Sequence, residues 1–130
     1  MTPSRGPHAG PYIVVADEDP ELLDAMVQTL RGTGYCVFQA YNGRAAYDLA
    51  LHLKTVDLLI TNTRMPGLQG PELIRYVRER LPELPILYIR NGDQPATPPD
   101  ALPADVPTLA EPFSGTQLVD AVRELLARDG

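Results

Sequence analysis

Short, nearly continuous apolar runs recur along this chain, each separated from the next by a segment of different character. Residues 12–16 form the first run, 36–40 the second, 58–61 the third and 86–89 the fourth, and Leu109 marks a short fifth. Runs of this kind suit strands buried on both faces of a parallel sheet. Between them the apolar residues fall at helical spacing. Leu22, Leu23, Met26, Val27 and Leu30 make one stripe; Ala45, Ala46, Leu49, Ala50 and Leu53 make a second. Leu73, Ile74, Val77 and Leu81 make a third, and Leu118, Val119, Val122, Leu125 and Leu126 a last one. Strands alternating with helices, joined by right-handed crossovers, give an α/β fold with a doubly wound parallel sheet.

Local signals place the boundaries. Asp19 fits a helix cap and Pro20 the first helical position, where no N–H is needed. Gly32 and Gly34 stop that helix, and Asn42-Gly43 reads as a turn. Pro71 opens the third helix. Ser114 and Gln117 match a capping box at the start of the last. The exception is the stretch 90–107. Pro95, Pro98, Pro99, Pro103 and Pro107 lie where a helix would join the fourth and fifth strands. An interior proline costs a helix about 3 kcal/mol. This fourth helix is therefore expected to be degenerate, with no regular helix between Gln94 and Val106.

At 130 residues the chain suits one domain, since domains commonly run to about 100–150 residues. Residues 1–10 are rich in Pro, Gly and Ser and read as a flexible lead; residues 11–130 are the domain. A net charge of −6 without a Lys/Arg cluster argues against nucleic acid as a direct partner. The one cysteine, Cys36, excludes an internal disulfide and a cysteine-rich zinc site, and reads as a buried packing thiol. His8 and His52 lack ligand spacing. No run approaches the ~18 apolar residues of a membrane span, and the start has no apolar signal segment, so a cytoplasmic protein is expected. No Gly-rich phosphate loop follows the first strand, and no Ser–His or Cys–His arrangement sits at the strand ends. An enzyme is therefore not expected.

Ligand chemistry in such folds gathers at the carboxyl ends of the strands. That singles out Asp17, Glu18, Asn62, Arg90 and Glu111. Each also has a plainer reading. Asp17 and Glu18 could simply end a strand and favour the positive end of the next helix. Asn62 could be only a polar strand-end residue. Arg90 and Glu111 could face solvent or pair with each other.

Four segments together resemble the receiver domains of bacterial response regulators. Residues 13–20 are similar to that family's first strand and acid pair, and residues 56–70, with Met65-Pro66-Gly67, to its phosphorylation segment. Residues 85–89 look like its fourth strand, and residues 109–113 like the segment carrying its Lys-Pro pair. The resemblance implies a five-stranded sheet in the order 2-1-3-4-5. It also implies a magnesium site built from an acid pair, an acceptor aspartate and a backbone carbonyl. Carried over by position, the acid pair is Asp17 and Glu18, the acceptor position holds Asn62, and the carbonyl is that of Arg64. The hydroxyl position holds Arg90, the lysine position Glu111 and the aromatic switch position Thr108. The Glu111–Pro112 peptide is implied to be cis.

Of those reactive side chains, only the acid pair is kept. An amide cannot replace a carboxylate as nucleophile, and Glu111 would repel a phosphoryl group. The expectation is a phosphorylation-independent signalling module acting by protein–protein contact. Its partner would be a histidine kinase, an output protein or another signalling protein, with a homodimer also allowed. The alternative is an ordinary phosphoacceptor in which Asn62 replaces the acceptor by engineering or variation. Asp17, Glu18 and Glu111 still supply three carboxylates, so a cation is expected among them. Arg90 is the candidate, with Glu111 as first partner and Asp17 as second. Magnesium on Glu18, Asn62 and the Arg64 carbonyl is the competing solution, held weakly.

Overall fold

The computed structural model describes residues 10–53, 55–62, 68, 70–90 and 102–129, with the backbone alone at 128 and 129. In chain order its elements are β1 (Tyr12–Ala16), α1 (Pro20–Gly32), β2 (Cys36–Ala40), α2 (Gly43–His52) and β3 (Leu58–Asn62). These are followed by α3 (Gly70–Arg80), β4 (Ile86–Arg90), β5 (Thr108–Ala110) and α4 (Gly115–Asp129). The strands form one parallel sheet in the order β2-β1-β3-β4-β5. This is the order that the family resemblance implied.

The strand alternation divides the core into two layers. Ile13, Val15, Leu58, Ile60, Leu87 and Ile89 face α1 and α4, which contribute Leu23, Met26, Val27, Leu30, Leu118, Val122 and Leu125. Val14, Ala16, Leu59, Ile86 and Tyr88 face the other way, onto Ala46 and Ala50 of α2 and Leu73, Ile74 and Val77 of α3. Burying one such aliphatic side chain stabilises the fold by roughly 1.5–3 kcal/mol. With both faces covered, the three central strands are mostly apolar, and the buried polar residues Thr61 and Asn62 fall at the carboxyl end of β3.

The caps explain where the helices start and stop. The Asp19 carboxylate accepts the N–H groups of Glu21 and Leu22 at 3.0 and 3.4 Å. α1 ends into Gly34, whose φ of 104° is a left-handed conformation open to glycine. Ser114 and Gln117 form the reciprocal capping box at α4, with bonds of 2.7 and 3.1 Å.

Two readings change. Asn42-Gly43 is not a free turn: Asn42 caps α2 by accepting from the Ala45 N–H at 2.7 Å, and Gly43 is the helix's first residue. Cys36 is only half-buried, because β2 is an edge strand and Cys36 is its first residue.

Residues 1–9 of the lead, and residues 91–101 of the proline-rich stretch, lie outside the described residues. The remainder of that stretch is a turn: the Val106 N–H donates to Pro103 O at 3.1 Å. It is tied to α3 by Arg78, whose guanidinium takes both carboxylate oxygens of Asp105 at 3.2 and 2.7 Å and donates to Leu84 O at 2.9 Å.

Candidate functional site

The sheet register brings the strand-end residues together. Ala16 pairs with Thr61, so Asp17, the residue after β1, stands beside Asn62, the last residue of β3. Both are almost fully buried, at 1% and 2% exposure. A carboxylate so placed needs donors, and two are supplied. The Asp19 backbone N–H donates to Asp17 Oδ1 at 2.9 Å, and the Asn62 side-chain Nδ2 donates to Asp17 Oδ2 at 2.7 Å. Burial pushes the Asp17 carboxyl above its ordinary pKa. The two hydrogen bonds oppose that shift, while the charges of Asp19 and Glu18 add to it.

The site is backed by α3. A Cβ on Gly70, the first residue of that helix, would collide with the Asn62 carbonyl oxygen and crowd the Tyr88 ring. Glycine is required there because backbone meets backbone. No motif in the sequence marks Gly70, and Asp19 carries the pattern of a helix cap alone. The signal for its N–H donation lies in Asp17 instead, since an Asp accepting from the N–H two residues on is an ordinary local turn.

The other strand-end residues are less enclosed. Glu18 is exposed. Arg90 is the last residue of β4 and half-buried, and its carbonyl accepts the Glu111 N–H at 2.8 Å. Glu111 is half-buried beyond β5, and the Glu111–Pro112 peptide is cis. Thr108 opens β5, is exposed, and lies level with Tyr88, two residues short of the strand's carboxyl end. Arg64 lies outside the described residues. The second-choice pairing, Arg90 with Asp17, is not formed: Asp17 draws its bonds from Asp19 and Asn62.

This donor set does not fit a magnesium ion. Both Asp17 oxygens already accept N–H groups, and Asn62 turns its amide donors, not its oxygen, toward the carboxylate. Among the described residues no buried side-chain oxygen or nitrogen lacks a hydrogen-bond partner. No three His, Cys, Asp or Glu side chains among them are grouped to hold a metal. Each Asp17 oxygen keeps a second lone pair, so the misfit is one of charge: the neutral amide at position 62 leaves Asp17 as the one buried carboxylate of the pair, and that carboxylate is already met by N–H donors.

The family model for the response regulator receiver domain matches residues 13–123. The chain belongs to that family. Among its relatives, the response regulator receiver protein CpdR of Brucella abortus is 33% identical over 115 residues, covering 88% of this chain and 95% of that protein. The sensor kinase CckA of the same organism is 31% identical over 119 residues, covering 89% of this chain but 12% of the kinase. A solved response regulator receiver protein from Sinorhizobium medicae superposes with a TM-score of 0.82 at 28% identity, covering 91% of this chain and 95% of that one. The chain is thus a receiver domain of two-component signalling. It matches nearly the whole of a small receiver protein and only a minor part of a kinase. Among the described residues, no helix is long and apolar enough to cross a membrane.

Proposed function

We propose that this receiver domain signals by protein–protein contact, without phosphoryl transfer to residue 62. The observation that carries this reading is the 2.7 Å hydrogen bond from Asn62 to Asp17. An amide nitrogen's lone pair is delocalised into its carbonyl, the N–H here is committed to Asp17, and the amide oxygen is a far weaker nucleophile than a carboxylate. Glu111 and Arg90 support the same reading. A carboxylate stands where a phosphoryl group would meet an ammonium, and a guanidinium where it would meet a hydroxyl. The domain then has no catalysis of its own. It presents a fixed surface, in the cytoplasm, to a histidine kinase, an output protein or another signalling protein.

The test is chemical. The purified chain is incubated with magnesium and a small phosphoryl donor such as acetyl phosphate, and its intact mass is measured. No added phosphoryl group is expected. A stoichiometric adduct would overturn the reading. The Asn62→Asp variant separates it from the ordinary-receiver alternative: efficient phosphorylation of that variant would favour the alternative.

A further inference from the structure

The family resemblance implies a magnesium ion among the strand-end acids, and the residues of this chain do not fit one. We propose that the Asn62 amide does the cation's electrostatic work, so that the pocket is complete and stable without metal. This inference rests on reading residue 62 as the acceptor position.

Ala16 opposite Thr61 forces Asp17 and Asn62 to lie abreast at the carboxyl edge of the sheet, both nearly inaccessible to water. Two carboxylates at that separation cannot both ionise without help, because like charges in a desolvated site repel strongly. One remedy is a divalent cation between them. The other is to remove one charge and put an N–H in its place. The second is what the structure shows: Nδ2 of Asn62 lies 2.7 Å from Oδ2 of Asp17, and the remaining oxygen is met by the Asp19 N–H at 2.9 Å. No buried polar side-chain atom among the described residues is left for a metal to satisfy.

The two remedies differ in one physical respect. A cation dissociates, so a site that needs one gains stability as its concentration rises. An amide is covalently part of the chain, so its site gains nothing from magnesium. Exchanging the two residues should preserve the pair, because an amide at position 17 can donate to a carboxylate at position 62 and still accept from the Asp19 N–H.

Thermal melts of three proteins test this, each in chelator and in millimolar magnesium, with no phosphoryl donor. The native chain is expected to melt at the same temperature in both. Asn62→Asp is expected to melt lower in chelator, by on the order of 5 °C, and to recover with magnesium. The reciprocal double variant Asp17→Asn/Asn62→Asp is expected to melt close to the native chain in chelator. Should Asn62→Asp not fold in chelator, it is folded in magnesium and the chelator added afterwards, and the double variant still tests the exchange. Magnesium stabilising the native chain as much as Asn62→Asp would overturn the proposal. So would Asn62→Asp matching the native chain in chelator, or the double variant failing to recover. With no donor present, these melts stand apart from the mass measurement: an adduct on the native chain would defeat the signalling reading and leave the melts unchanged.

Discussion

Asn62 Nδ2 donates to Asp17 Oδ2 across the ends of two neighbouring parallel strands, at 2.7 Å, and both residues are almost fully buried. The bond takes the place of a charge. It joins β1 to β3 where the sheet's backbone ladder runs out, and it leaves Asp17 as a buried carboxylate held only by N–H donors.

That arrangement gives stability a particular pH dependence. The Asp17 carboxyl titrates higher in the folded chain than its ordinary value of 3.8, chiefly because burial disfavours its charged form. As pH rises from that value, the unfolded chain loses this proton first. The folded state therefore binds more protons across the window up to its own raised pKa, and Asp17's contribution makes stability fall through it. Below the window and above it, the contribution is flat. Asp17→Asn should remove this component, which urea melts of both proteins across a pH series would read as a difference that grows through the window.

Gly70→Ala should destabilise the domain by about 1–3 kcal/mol, the usual cost of forcing an extra carbon into a packed site. The added methyl meets the Asn62 carbonyl and the Tyr88 ring, neither of which can swing away as a flexible side chain would. Denaturant melts measure the loss, and a neutral result would show that α3 shifts freely over the end of β3.

Arg78 and Asp105 should contribute unequally to stability. Asp105 is largely exposed, and exposed ion pairs are commonly worth about 0–1 kcal/mol. Arg78 is mostly covered and also donates to Leu84 O. Asp105→Ala should therefore cost less than about 1 kcal/mol, and Arg78→Ala about 1–3 kcal/mol because it leaves a buried carbonyl without its donor. Equal losses in chemical denaturation would contradict this division.

Much of the fold was legible in the apolar pattern. β1, β3 and β4 are buried on both faces, so their composition is almost free of polar residues, and the Asp19 and Ser114–Gln117 caps were readable from residue type and spacing. β5 was legible only at Leu109, because its outer residues, Thr108 and Ala110, are exposed and carry no burial signal. The candidate site was legible in membership but not in chemistry. Asn62 read as a passive strand-end residue and Arg90 as the group that would balance the acids. Which end of an amide faces its neighbour is set by the tertiary register, and only the pairing of Ala16 with Thr61 shows that Asn62 reaches Asp17 first.

Arg90 and Glu111 are joined through the backbone, and we expect their side chains to couple as well. Both are half-buried at adjacent strand ends. A double-mutant cycle with Arg90→Ala and Glu111→Ala should give a coupling of roughly 0.2–1 kcal/mol, the range of partly exposed pairs, that shrinks with added salt. A coupling of zero at low salt would show that the two charges act independently.

The most direct test of a site closed to both cation and phosphoryl group is a titration followed by backbone and side-chain amide NMR. Magnesium is added first, then beryllium fluoride as a phosphoryl mimic, while the amide signals of Asp17, Asn62, Arg90 and Glu111 are observed. These signals, including the Asn62 side-chain NH₂, are expected to stay in place through both additions. Saturable movement of the Asn62 and Asp17 signals would contradict a closed site.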